Sequence, residues 1–207
     1  KKYLKKNIKI SHIYQLIPHI KYINANRQVK EKYILHIGNH LYKNRYLALE
    51  FINLLIKKKI TKYKLVCVGE IRNQERNYIK RNSLQKYIQF FQNISDKKIF
   101  SLYKFSSYII ITSNYEGFGV PVIETYHHKK KLLSSTNGSL KEIVIPDFRI
   151  KKYTKYGFFN LFKKLEKIEN LNSKILKKSL KILNIINNKD RYLKSYDKIY
   201  LNERNIY

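Results

Sequence analysis

Short apolar runs alternate with helical stretches through the middle of the chain, and this alternation constrains the fold more than any other feature. Tyr33–Gly38 (YILHIG) is a strand-length apolar run closed by glycine. Tyr63–Gly69 (YKLVCVG), Tyr87–Phe91 (YIQFF) and Tyr108–Thr112 (YIIIT) repeat the pattern. Between them the apolar residues take helical spacing, as at Leu47, Phe51, Leu54 and Leu55 within Arg45–Lys57. Ile71–Gln85 reads as a second helix, and a third opens after Ser95, a good N-cap, and runs to about Ser106. A glycine turn at 117–119 leads to Pro121, suited to the first position of a helix over 121–128. Lys131–Ser135 reads as a fifth strand and Ser139–Val144 as a short helix. Only helical patterns follow, at Tyr156–Ile168, Leu171–Ile186 and Arg191–Tyr200. Apolar strands alternating with helices predict an α/β fold, a parallel sheet with helices on both faces.

The 207 residues suffice for one good-sized domain or two small ones. A single cysteine, Cys67, excludes a disulfide-stapled scaffold and a Cys/His zinc finger. No run approaches the roughly 18 apolar residues of a membrane span, and no apolar leader core follows Lys1–Lys6. The 44 Lys+Arg against 14 Asp+Glu give a net charge of +30. Abundant Lys, Ile, Asn and Tyr are what A/T-rich codons favour, so part of that charge is coding bias. The rest attracts phosphates, on nucleic acid, anionic lipid or a nucleotide. The basic, irregular stretch 1–31 reads as a linker. A start at Lys1, with no methionine anywhere, fits a fragment or a processed product.

The window Ser113–Glu124 (SNYEGFGVPVIE) carries chemistry. It joins an apolar strand to a helix, and ligands of open parallel sheets bind at such carboxyl ends. Gly117 and Gly119 let backbone approach a ligand, and the free amides of the helix start at 119–122, Pro121 apart, make an anion site. Glu124 in the helix suits a vicinal diol such as a ribose, and Glu116 before the turn suits sugar hydroxyls. Two carboxylates eight residues apart, in a chain poor in acids, bracket that turn. Together they match a diol, a diphosphate and a hexose. Taken alone, a Gly-x-Gly is more often a plain tight turn with surface glutamates beside it.

Glu116–Glu124 resembles the signature Glu-Gly-Phe-Gly-(apolar)-Pro-x-x-Glu of the family-4, or group 1, retaining glycosyltransferases of GT-B fold. Tyr33–Leu55 resembles the first strand and helix of their donor domain, Lys64–Glu70 the second strand, Ile94–Ser113 the approach to the motif, and Thr136–Val144 the segment after it. The resemblance covers about residues 32–145. It implies a Rossmann-like donor-binding core at 32–153, the donor-binding half of a GT-B fold. Residues 1–31 would be a linker or remnant of a preceding domain, and 154–207 C-terminal helices packed on the core.

The resemblance also implies roles. Glu124 would bind the donor ribose. Gly117, Phe118, Gly119 and Val120 would offer amides to the diphosphate and the sugar. Glu116 would contact sugar hydroxyls, Lys43 would neutralise the diphosphate as the nucleotide leaves, and Gly38 would let the first loop approach the phosphates. The base would lie at Gln89–Phe91. Transfer from a nucleotide-diphosphate sugar to an acceptor hydroxyl would need no metal or other cofactor. The expected location is cytoplasmic, with peripheral contact to anionic membrane and no specific nucleic acid. Asn39 stands where the family usually has Arg, the Gly38-to-Lys43 spacing is one residue shorter, and Lys129-Lys130-Lys131 replaces a Gly-x-Pro. Only about 31 residues precede the core, so the acceptor half is expected on a missing segment or a separate subunit. The alternatives are a non-catalytic partner of a split glycosyltransferase and a basic nucleic-acid-binding protein.

Other residues read as structural. His127 and His128 follow the motif helix without acids at ligand spacing. His36 reads as a satisfied core histidine and Cys67 as a buried thiol. His40 lies in the loop that should face the donor. Tyr87, Phe90 and Phe91 read as core rather than as a base-stacking platform. The Lys-rich helices after 151 suit an anionic membrane surface.

Overall fold

The structure, a computed structural model, describes residues 24, 26–168, 171 and 173–200. Most of the expected linker at 1–31 lies outside the described residues. Five parallel strands form one sheet: β1 (Lys32–Ile37), β2 (Tyr63–Val68), β3 (Ile88–Phe91), β4 (Tyr108–Ile111) and β5 (Lys131–Ser134), in the order β3-β2-β1-β4-β5. The helices are α1 (Arg45–Lys57), α2 (Asn73–Arg81), α3 (Asp96–Phe105), α4 (Val120–His127), α5 (Leu140–Ile143), α6 (Lys155–Glu166), α7 (Ser173–Ile186) and α8 (Lys189–Tyr200). Tyr33, Ile34 and Leu35 of the central β1 are fully buried, as an apolar strand covered on both faces must be.

The strand order reverses between β1 and β4, and there the pairing is short. β1 pairs with β2 along six residues, but with β4 only at Ile34–Tyr108 and Leu35–Ile109. Beyond Leu35 a side-chain contact, His36 Nε2 to Thr112 Oγ1 at 3.2 Å, takes over. The two strands thus open a crevice at their carboxyl ends, where such folds bind ligands.

The opposite end of the sheet is closed. Phe162 of α6 packs against Phe51, Tyr63 and Tyr108, with ring centroids 5.3–5.9 Å apart. The hydroxyls of Tyr63 and Tyr108 both donate to Glu166 Oε1, at 2.7 and 2.6 Å. Each buried ring contributes roughly 1.5–3 kcal/mol of transfer free energy. This cluster ties the amino ends of β2 and β4 to α6.

Two local expectations shift. The second helix stops at Arg81 rather than Gln85, because Ser83 turns left-handed (φ 53°) so that Leu84 can bury. Gly119 is the N-cap of α4 and Val120 its first residue, so Pro121 takes the second position, not the first. Ser95 caps α3 as expected, accepting from the Lys98 amide at 3.4 Å. Cys67 is fully buried, and burial pushes its thiol up to about 12. No helix among the described residues is long and apolar enough to cross a membrane.

Candidate active site

Two loops meet over the crevice. The first leaves β1 through Gly38, whose φ of +97° suits glycine, and tightens into a 3₁₀ turn at Leu41–Lys43. Asn44 then adopts the left-handed conformation (φ 44°) and starts α1. The second leaves β4 through Thr112 and Ser113. Main-chain contacts tie the loops together. The Asn114 amide donates to the Tyr42 carbonyl at 2.7 Å, and Thr112 Oγ1 donates to the Lys43 carbonyl at 2.8 Å. The Tyr153 hydroxyl donates to the Thr112 carbonyl at 2.6 Å and accepts from Asn44 Nδ2 at 2.7 Å.

This scaffold brings Lys43 to Glu116. Lys43 Nζ lies 2.6 Å from Glu116 Oε1, which also accepts from Ser113 Oγ at 2.6 Å. The two side chains are only 13% and 7% exposed, so the pair is largely desolvated. The shorter first loop therefore keeps Lys43 facing the motif. A cavity of about 10 Å³, the size of one water, lies beside them and is lined by His36, Ser113 and Pro121 among others.

The segment after β5 braces Glu116 from behind. Ser135 Oγ and Asn137 Nδ2 donate to the Ser113 carbonyl at 2.9 and 3.1 Å, and the Ser139 amide donates to the Glu116 carbonyl at 3.1 Å. Gly138 has φ +62°, and a Cβ there would sit 2.5 Å from the Glu116 carbonyl oxygen. Only glycine fits this approach.

The motif turn is partly as expected. Gly119 has φ +84°, and a Cβ there would meet Ile143 Cδ1 at 2.8 Å. Gly117 is different, since no described residue beyond its chain neighbours lies within 4 Å of its would-be Cβ. It opens space rather than relieving a clash. The Val122 amide bonds the Gly119 carbonyl at 2.9 Å, which removes it from the expected set of free amides.

Glu124 lies on α4, half-buried. Tyr103 donates to its Oε2 at 2.6 Å. Burial pushes the Glu124 carboxyl above its ordinary range, and the Tyr103 hydrogen bond and the Lys43 charge oppose that rise. Lys43, paired with Glu116, therefore also acts on Glu124 through its charge. His36 is buried, and burial together with the Arg45 charge pulls its pKa down to about 3. Thr112 gives its proton to the Lys43 carbonyl, so His36 Nε2 must donate to Thr112 Oγ1. Among the described residues His36 Nδ1 then has no partner, which corrects the reading of a satisfied core histidine.

Arg45 was not legible as special in the sequence, yet it is fully buried and bidentate to Glu75, at 3.1 and 2.5 Å. Its guanidinium lies 5.1 Å from the Phe90 ring centroid, and Lys98 Nζ lies 4.5 Å from that of Phe91. The end of β3 is thus half-buried under cations. His40 stacks on Tyr42, and His128 on Tyr103. Among the described residues, no group of three or more His, Cys, Asp and Glu side chains gathers as metal ligands would.

Residues 21–188 match the family of glycosyl transferases group 1. The fold is similar to that of sucrose-phosphate synthase from Thermosynechococcus elongatus, with a TM-score of 0.69 and 16% identity over 86% of this chain and 47% of that one. It is also similar to the C-terminal domain of a group 1 family glycosyl transferase from Francisella tularensis (TM-score 0.62, 21% identity, 82% of this chain and 95% of that). A third similar structure is the Anabaena protein HepE in complex with UDP-glucose (TM-score 0.68, 13% identity, 82% of this chain and 49% of that). The chain thus spans about half the length of the sucrose-phosphate synthase and HepE chains. No curated protein sequence gave a match.

Proposed function

This chain belongs to the group 1 glycosyl transferases, and from that premise we propose that it is the donor-binding half of a retaining enzyme that uses a nucleotide-diphosphate sugar. The observation that carries the reading is the convergence of Lys43 and Glu116 at the point where the strand order reverses. In the free chain these two side chains satisfy one another. A donor would replace that contact on both sides, Lys43 turning to the diphosphate and Glu116 to the sugar hydroxyls. The amides of Gly117, Phe118, Gly119 and Val120 would face the diphosphate, with the start of α4 behind them. Gly117, with open space around it, leaves room for that ligand. Glu124 would accept from the ribose diol, and Gly38 would let the first loop close on the phosphates. The base would lie against Gln89–Phe91.

In the reaction the bond from the sugar's anomeric carbon to the diphosphate breaks, one to the acceptor oxygen forms on the same face, and the acceptor's hydroxyl proton passes to the departing diphosphate. Positive charge grows on the sugar ring and negative charge on the leaving diphosphate. Lys43 and the amides stabilise the second, and Glu116 holds the sugar in place. Lys43 supplies the neutralising charge, so the step needs no metal cofactor. The acceptor and its binding half lie outside this chain's core. Exposed lysines of α7, Lys174, Lys177 and Lys181, beside the exposed Leu180, support peripheral contact with an anionic membrane.

Calorimetric titration with a panel of UDP- and GDP-sugars tests the donor reading. At least one should bind, and Glu124→Ala should weaken it by about 1.5–3 kcal/mol, the size of a hydrogen bond to a charged group. Equal affinity in the variant removes Glu124 from the site, and an inert panel removes the nucleotide-sugar reading.

A further inference from the structure

We propose that Tyr103 is a positioning residue: its hydroxyl holds Oε2 of Glu124 and leaves Oε1 as the oxygen presented to the ligand. The inference rests on the donor reading of Glu124 given above. Tyr103 lies on α3, opposite α4, and is 1% exposed. Its hydroxyl is 2.6 Å from Oε2, a short charge-assisted bond. The His128 ring lies nearly parallel to the Tyr103 ring (5° between planes, centroids 5.4 Å apart), and Phe100 meets His128 edge-on at 4.5 Å. This stack fixes the tyrosine plane, and with it the direction of the O–H.

The need for such a donor follows from where Glu124 sits. Burial favours its neutral form, and Asp96, also on α3, pushes the same way. Among the described residues, Tyr103 and Lys43 pull toward the carboxylate. A protonated carboxyl would spend one oxygen as a donor, whereas a diol needs an acceptor. Tyr103 itself stays a donor. Burial and the charges of Glu124 and Glu116 hold its phenol well above its ordinary range. At the C-cap of Glu124's helix, burial and the His127 and Lys130 charges pull His128 down to about 4, so that ring is neutral at physiological pH. The tyrosine thus does two things at once: it orients the carboxylate and favours its ionised form.

Tyr103→Phe keeps the ring and removes the donor. Carbon-13 carboxyl titration of Glu124 in the ligand-free chain should show its midpoint rising by about one pH unit in that variant, the size of one such hydrogen bond. An unmoved midpoint overturns the proposal, and this readout needs no ligand. Affinity for whichever UDP- or GDP-sugar the wild type binds should then fall about twofold at the shifted midpoint, approach a roughly tenfold loss below the wild-type midpoint, and recover in part at pH 8. A loss equal at all pH values marks a merely structural tyrosine and also overturns it. A Tyr103→Phe, Glu124→Gln cycle on unfolding free energy adds a measurement that survives weak binding. Strong coupling supports the contact and additivity contradicts it. If the wild-type chain binds no nucleotide sugar, the donor reading fails, while the carboxyl midpoint still decides whether Tyr103 governs Glu124.

Discussion

Lys43 and Glu116, 73 residues apart in sequence, close on each other with Nζ 2.6 Å from Oε1 at the head of the crevice between β1 and β4. Each is the other's counter-charge in a place with little water. Removing one leaves the other buried and unpaired, which costs more than the pair is worth as a whole. Lys43→Met and Glu116→Gln should each lower unfolding free energy by about 1–3 kcal/mol. The double variant should lose less than the sum, with a coupling of about 1–2 kcal/mol. Urea unfolding of the four proteins measures this, and strictly additive losses would show that the two side chains do not meet in solution.

Two glycines near this pair should behave oppositely. Gly138→Ala puts a Cβ 2.5 Å from the Glu116 carbonyl oxygen at a left-handed backbone position, so it should destabilise by about 1–3 kcal/mol. Gly117→Ala meets nothing within 4 Å and should leave stability within about 0.5 kcal/mol. If a diphosphate occupies that open space, Gly117→Ala should instead reduce nucleotide-sugar affinity. Chemical unfolding paired with calorimetry separates the two, and a Gly117→Ala variant that unfolds early while binding normally would invert the assignment.

Acid should loosen the chain through His36. Its folded pKa is pulled down to about 3, whereas the unfolded chain takes up the proton near 6.5. Its stabilising contribution is therefore complete above pH 6.5 and is lost as pH falls toward 3. The slope reaches about 1.4 kcal/mol per pH unit. Glu124 has the opposite sign, since burial raises its pKa and favours the folded state as pH falls. His36→Gln should flatten the stability curve between pH 4 and 6. A variant with the wild-type slope would place the acid-sensitive group elsewhere.

The strands were readable because each is a short apolar run and β1, β2 and β4 are buried on both faces. The motif turn was readable because Gly119 and Pro121 carry local backbone chemistry. What escaped is long-range. Tyr103 has the helical spacing of a core aromatic, and nothing in that spacing reveals that its hydroxyl reaches Glu124 across 21 residues. Gly138 stands in Thr-Asn-Gly-Ser, where no local feature reveals that its neighbour is the Glu116 backbone. Arg45 opens a helical run in the sequence, and nothing in that run marks it as buried against Glu75. The one-residue shift of Pro121 and the capture of the Val122 amide by Gly119 depend on the tightness of one turn, which residue types alone do not set.

The most direct measurement is an amide nitrogen-15 NMR titration of the chain with UDP and with GDP. Binding at the reversal point of the sheet should move the amides of Gly38, Lys43 and Gly117–Val120 together, along one saturating curve. Shifts confined to the lysine faces of α6 and α7, or no saturating change with either nucleotide, would contradict a donor site between β1 and β4.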